Sequence, residues 1–555
     1  MIGVIAPASD LDVVREFFEL FKTPWEPYRP NRHYEVLVCA EGERCDGTAK
    51  LVVFYAGRKT QFDDEGKIAT GAQRDNPCIL SYQNNRIPVY GSTVTFAERD
   101  GCLLKDEHSR QCVAFLDPSV EGARARIGYG LFAEVRTLLA AGQPPANASL
   151  PALELHIALL RDIITRCGIP LVEIPPVPLG HRFIVCLTHD VDHPSIREHK
   201  WDHTTFGFFY RAILGSLRDL IRGRIPVQGL VANWAAALKL PFVHLGMAKD
   251  FWRDFADRYR ELEKGLPSTF FIIPFKNRSG ETRQGPAPKF RAAGYAAQDF
   301  TDTIKELLSA GSEVGLHGID AWLDSARGEE ELEEIRRLTG VSAIGVRMHW
   351  LYFDPQSPVT LENAGAAYDS TIGYNGTVGY RAGTTQGYQP LTASRLLELP
   401  LHIMDTALFY PDHLGLSVRE ARVLINRLVR NAAQFGGCLT INWHDRSLAP
   451  ERLWGSCYRD LVRDLQSQDA WFATAGQAVS WFQMRRSVVF ETAESQPDAA
   501  CAKVTGVHGG HLPGLRLRTH KPQRTGETGG QSRENYVDMA FTESADTRMP
   551  REVGR

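Results

Sequence analysis

The run FIVCLTHDVDHP, residues 183–194, ends an apolar stretch in two histidines and two carboxylates. Successive side chains of an extended chain alternate faces, so Asp190 and Asp192 point one way and His189 and His193 the other. Two carboxylates about 6 to 7 Å apart along a strand can share a metal site, one coordinating while the other holds or deprotonates an attacking water. The same pair could instead cap a following helix. Other apolar runs end in the same residue types. EVGLH ends in His317, with Gly318 next. AIGVRMHW ends in Arg347 and His349, two apart and so on one face, and CLTINWHD ends in His444 and Asp445. Three histidines at one edge of a sheet, facing two carboxylates, suit a catalytic zinc, which keeps an open position. The chemistry these residues spell is metal-assisted hydrolysis.

Such side chains need elements to hold them. From 183 to about 483, short apolar runs (FIVCLT, STFFII, EVGLH, AIGVRM, AAYDST, LELPLH, CLTINW, AWFAT) alternate with amphipathic segments such as TDTIKELLSAG and VREARVLINRLVRNAAQFGG. Alternation of this length predicts parallel strands with right-handed crossovers. About eight strands in roughly 300 residues fit a (β/α) barrel, whose active site lies at the C-terminal strand ends. Residues 1–130 mix short strands with Gly- and Asp-rich turns, as a small α+β domain does. Residues 131–182 read as a helical connector, 183–485 as the barrel, and 486–555, rich in Gly, Ser, Thr, Pro and charge, as a disordered tail.

Composition bounds the function. A 555-residue chain with 43% hydrophobic and 23% charged residues is that of a soluble globular protein of two or three domains. A net charge of −3 argues against a nucleic-acid binder working through phosphate contacts. The ten cysteines form no C-x-x-C pair and read as reduced thiols. No signal peptide or membrane span is expected, which points to the cytoplasm.

These residues resemble the polysaccharide deacetylases, the NodB-homology or carbohydrate esterase family 4 group. Their first motif, T-F-D-D-G, looks like T-H-D-V-D here, with Thr188 and Asp190 in register and Asp192 displaced by two. GLPSTFFIIP looks like the second strand of that family. The resemblance implies a distorted (β/α) barrel that removes acetyl groups from N-acetylated sugars with a divalent metal, most often Zn2+. It implies Asp190 as general base, Asp192 and His317 as metal ligands, Arg347 as the arginine steadying the base, and His444 as general acid. His402 is a rival for the last role. The family's H-[ST]-x-x-H motif is only half present: four residues after His317 stands Ala321. His349 from the neighbouring strand is the expected replacement ligand. DSTIGYNGTVGYRAGTTQ resembles a divergent branch, which places Arg381 and Gly383 in a substrate-facing loop. Trp350 and Tyr352 could line a sugar or acetyl pocket.

The resulting expectation is a metal-dependent deacetylase of an N-acetylated glycan or glycan precursor, lipid-linked precursors included. Its rivals are an amidohydrolase acting on a non-sugar amide and an inactive barrel that binds glycan or scaffolds. A long insert at about 195–264 separates the first two strands. Its segment FFYRAILGSLRDLIRGRIP, with Arg211, Arg218, Arg222 and Arg224, reads as a solvated helix over the barrel mouth, with an anionic membrane surface as the alternative.

Overall fold

A computed structural model describes residues 1–43, 47–118, 122–200, 202–492, 500–504, 512–522, 535–541 and 544–547. The chain forms two compact units. The first comprises Met1–Gly180, Ala382–Gln386 and Ser480–Arg555; the second comprises His181–Arg381 and Gly387–Val479.

The second unit is built on a curled, wholly parallel sheet. In spatial order its strands are Tyr368–Asp369, Gly345–Met348, Glu313–Gly318, Ser268–Ile272, Ile184–Val191, Cys438–Asn442 and Ile403–Met404, and Trp471–Phe472 also pairs with Ile184–Val191. All eight residues of Ile184–Val191 are buried, the expected state of a central parallel strand covered on both faces. Each expected apolar run supplies or adjoins one strand. LELPLH does so only in part, because Pro400 has no N–H to give a ladder. Residues 397–402 still bond both ways: Asp369 N donates to the Leu397 carbonyl, Leu401 N to that of Ile372, and His402 N to that of Thr440. This segment therefore reaches from one edge strand of the sheet to the other. Crossover helices bury one face each, with ordinary caps. Asp324 accepts from Arg327 N at the start of Ser325–Thr339, and Ser417 forms a capping box with Glu420 before Val418–Phe435.

The first unit carries an eleven-stranded mixed sheet. Helices Leu131–Ala140 and Ala152–Arg166 and strand Leu171–Glu173 belong to this unit, so the expected connector is part of it. The second unit ends at Val479 rather than near 485. The tail expectation fails where the chain is described. Residues 488–547 contribute five strands, and Leu515–His520 pairs antiparallel with Leu171–Glu173 and with Tyr536–Phe541. LRLRTH alternates apolar and polar side chains with Leu515 and Leu517 buried, a period-2 signal diluted by the polar residues around it. The remainder of 486–555 lies outside the described residues. Cys39 is disulfide-bonded, so the reading of all ten cysteines as reduced fails there. Among the described residues, no helix is long and apolar enough to cross a membrane.

Candidate active site

Strand register brings the chemistry together. Parallel pairing sets His317 beside Arg347, and Asp190 and Val191 beside Phe271 and Ile272 of the strand next to His317's own. The C-terminal ends of four strands thus deliver Asp190, Asp192, His317, Arg347, His349 and His444 to one place. The Asp192 Oδ1 atom lies 3.2 Å from His317 Nε2 and 3.3 Å from His349 Nδ1. Those two nitrogens are 3.1 Å apart. These three side chains are close enough to hold one metal ion.

The hydrogen bonds on the far side of each ring fix the proton positions. His317 Nδ1 meets the Arg347 carbonyl at 2.9 Å, and His349 Nε2 meets the Arg291 carbonyl at 3.1 Å. A carbonyl only accepts, so each of these nitrogens carries the hydrogen, and in the neutral form of each ring the opposite nitrogen presents a lone pair. Two lone pairs therefore face each other and a buried carboxylate oxygen that accepts no hydrogen bond of its own. Such a triad is unsatisfied without a shared cation, and the carbonyl-anchored rings are how metal-ligating histidines are held. Zinc takes this donor set of one carboxylate and two imidazoles. The residues fit the group.

Burial raises the Asp192 carboxyl, and the charged imidazole of His444 is among the neighbours that draw it below its usual range. Burial lowers His349 to about 4, so its ring is neutral near pH 7.

Asp190 stands beside the triad, its Oδ2 at 4.0 Å from His317 Nε2. Arg347 Nη1 donates to its Oδ1 at 3.0 Å and Asn442 Nδ2 to its Oδ2 at 2.8 Å. Arg347 is fully buried. It also donates to Thr188 Oγ1 at 2.7 Å, to the Ser370 carbonyl at 3.0 Å and to Ser370 Oγ at 2.9 Å. Opposite, His444 Nε2 comes within 3.8 Å of Asp192 Oδ2, while its Nδ1 donates to Asp405 Oδ1 at 2.6 Å. Asp405 also accepts from His444 N at 2.8 Å and from Ser447 Oγ. Burial lowers the His444 pKa, but the Asp405 charge overcomes it and brings the imidazole up to about 10. His444 is thus a proton donor held charged beside the triad.

The two outward histidines of HDVDH have other work. His189 is sealed between strands and helices, with Nε2 on Glu263 at 2.8 Å, Nδ1 on the Trp443 carbonyl at 2.8 Å and its ring 3.7 Å from that of Tyr259. His193 bonds His199 at 3.1 Å, and His199 bonds Asp202, the N-cap of His203–Phe209. That chain anchors the start of the insert. Asp445 accepts from His193 N at 2.8 Å. His402 Nδ1 accepts from Thr440 N and is absorbed in the strand pairing, so it does not compete with His444.

Trp350 sits beside the triad, its ring 5.8 Å from His349, with left-handed backbone at φ 62°. Tyr352 lies under the Arg291 guanidinium at 4.2 Å. Arg381 donates to the Gly373 carbonyl at 2.9 Å and makes no contact with the triad. Gly383 belongs to the first unit, where its carbonyl accepts from Leu153 N at 2.8 Å. The sequence reading missed Asn442, Asp405 and Arg291. Asn442 carried a signal, since it lies two residues before His444 on the same strand end. Asp405 follows an apolar run as Asp190 does. Arg291 comes from a loop and carried none.

No protein-family model matches the chain, and no curated protein sequence matches it. Solved structures do. A Mycobacterium smegmatis protein described as a polysaccharide deacetylase aligns at 18% identity and TM-score 0.34, covering 56% of this chain and 95% of that one. A Pseudomonas aeruginosa protein with the same description aligns at 15% identity and TM-score 0.34, over 58% and 98%. The allantoinase PuuE aligns at 14% identity and TM-score 0.33, over 55% and 91%.

Proposed function

We propose that this protein is a metal-dependent amide hydrolase that removes the acetyl group from an N-acetylated sugar of a glycan or glycan precursor, on a distorted (β/α) barrel. The observation that carries the metal site is the pair of imidazole lone pairs converging on the unpartnered Asp192 Oδ1. The T-H-D-V-D motif and the polysaccharide deacetylase description of two solved structures support the substrate class. A zinc ion held by Asp192, His317 and His349 would supply Lewis acidity for the amide carbonyl. His349 takes the place that Ala321 leaves vacant in the family's second motif.

The chain's own residues move the protons. Asp190 is fixed by Arg347 and Asn442, which leaves it able to take a proton from the attacking water. The water oxygen bonds to the acetamide carbon, the carbon–nitrogen bond breaks, and His444 gives its Nε2 proton to the departing amine. Arg347 and Asp405 position these two groups and touch no reacting atom. Trp350, beside His349, would pack against the sugar or its acetyl methyl.

Metal analysis of wild type beside Asp192→Ala, His317→Ala and His349→Ala tests the site, and acetate release from N-acetylglucosamine oligomers tests the reaction. We expect about one divalent ion per chain, lost in all three variants, and acetate release only from loaded wild type. Protein that takes up no metal after incubation with zinc would overturn the mechanism. A loaded protein that cleaves simple acetamides but no acetylated sugar would keep the hydrolase and remove the glycan.

A further inference from the structure

Between the first two strands the chain builds a helical hairpin. One limb runs through His203–Phe209, Tyr210–Gly215 and Ser216–Ile221, and the other is Val227–His244. The limbs pack on each other and on Trp252 through Phe208, Ala212, Ala236, Ala237 and Leu240. Their outer faces are apolar and bare. On the first limb Phe206, Tyr210, Leu214, Leu217 and Ile221 recur every three or four residues and are 42% to 78% exposed. On the second, Val231, Trp234, Leu238, Phe242 and Leu245 do the same, 43% to 77% exposed. A helix apolar on both faces belongs in a core or against an apolar phase, and a soluble monomer rarely exposes so continuous a patch.

The charge of this insert is equally unlike the rest of the chain. From 203 to 249 it carries Arg211, Arg218, Arg222, Arg224, Lys239 and Lys249 against one acid, Asp219, while the whole protein is net negative. At the tip, Arg222 and Arg224 line an open groove of about 800 Å³ with Arg419, Arg422 and one acid, Glu420. Neither limb is long and apolar enough to cross a bilayer. Apolar stripes with interfacial Tyr and Trp, flanked by arginines and lysines, are the make-up of helices that lie in the headgroup region of an anionic membrane. The rival occupant, a second copy of this chain, would set each cationic hairpin against its own twin about a two-fold axis. That arrangement repels.

We infer that the 203–247 hairpin seats this protein on an anionic lipid surface, with its apolar faces in the acyl boundary and its arginines on lipid phosphates. The inference goes beyond the hydrolase reading and does not depend on it. Co-sedimentation of the full chain with vesicles of phosphatidylcholine alone, and with phosphatidylglycerol added, tests it. We expect binding to the phosphatidylglycerol vesicles that weakens as NaCl rises. Arg222→Ser with Arg224→Ser should lower partitioning by roughly fivefold per arginine. Ile221→Ser with Leu238→Ser should abolish it while leaving the melting temperature unchanged, since both side chains are over three-quarters exposed. Asp190→Asn should bind vesicles like wild type. Wild type that stays in the supernatant with both vesicle types overturns the inference, as does arginine-variant binding equal to wild type. A dimer that the Ile221→Ser, Leu238→Ser variant dissociates, without vesicle binding, would assign the patch to a second copy instead.

Discussion

His189 and Asp190 are neighbours in sequence, and the strand sends them to opposite fates. Asp190 enters the site, where Arg347 and Asn442 hold both of its oxygens, while His189 is walled in by Glu263, Tyr259 and the Trp443 carbonyl. One residue of register would exchange them, so the site's composition is set by strand phase as much as by residue choice. The same logic separates the two sides of the site. Asp190 gains a cation as its partner and His444 gains an anion. Asp405 raises His444 to about 10, so the imidazolium persists well above the pH at which an unperturbed histidine titrates, about 6.5. Its contribution to stability is complete below about pH 6.5 and is lost as pH rises through about 10. Asp405→Asn removes the charge and keeps the shape. We expect the alkaline limb of the pH–rate profile to move toward acid in that variant, and activity at neutral pH to fall on the order of 10²- to 10⁴-fold. An unchanged limb would mean that His444 is not the group whose proton the reaction needs.

At the scale of elements, the site depends on how tightly the edge strands close on one another. Gly345 begins the strand that carries Arg347, and a Cβ there would lie 1.9 Å from Tyr368 Cζ. The ring cannot swing away easily, because Tyr368 Oη donates to Glu313 Oε1 at 2.9 Å, and Glu313 in turn holds Thr269 at 2.9 Å. Gly345→Ala should therefore cost about 1–3 kcal/mol in urea unfolding. Gly318→Ala meets the Met348 thioether, 2.6 Å from the Cβ and at the flexible end of its side chain, and Glu331 Oε2 only at an ordinary 3.4 Å, and should cost less. Equal losses would refute the idea that the Tyr368 ring is clamped. The strand ends themselves were legible from sequence, because apolar runs closing on His, Asp or Arg two apart report both a strand and a face. The place of His349 in the triad was legible too, since it follows Arg347 by the strand period. What could not be read were contacts made across many residues. Asp405 reaches His444 from the first turn of helix Asp405–Phe409, and the Arg291 carbonyl that orients His349 comes from the connection before it in sequence. Neither partnership leaves a local pattern. The outer faces of the insert were hidden for a different reason: its arginines suggested an amphipathic helix, and only burial shows that the apolar residues lie on both sides.

Over the whole molecule, the largest departure from expectation is the C-terminal segment, which the first unit uses as structure. Leu515–His520 completes a sheet with Leu171–Glu173 and brings His520 Nε2 to 3.0 Å from Glu173 Oε1. Glu173 is buried and also accepts from Arg161 at 2.9 Å. Burial alone would raise this carboxyl, but Arg161, His520 and Arg518 prevail and hold it far below its usual range. A depressed acid adds stability above its unfolded pKa, about 4.3, and loses it as the pH falls further. A chain ending at residue 511 loses Arg518 and His520, uncovers the edge of Leu171–Glu173 and leaves a buried carboxylate with one cation. We expect the first unit of that chain to melt earlier by calorimetry, with a loss of about 3 kcal/mol at neutral pH. The gap to wild type should narrow below about pH 4, where the unfolded chain takes up the proton that folded Glu173 resists. His520→Ala, which keeps the strand, should show the same pH trend at smaller amplitude. If the shortened chain melts with wild type at every pH, the segment contributes nothing to the unit, and its composition rather than its alternation was the correct guide.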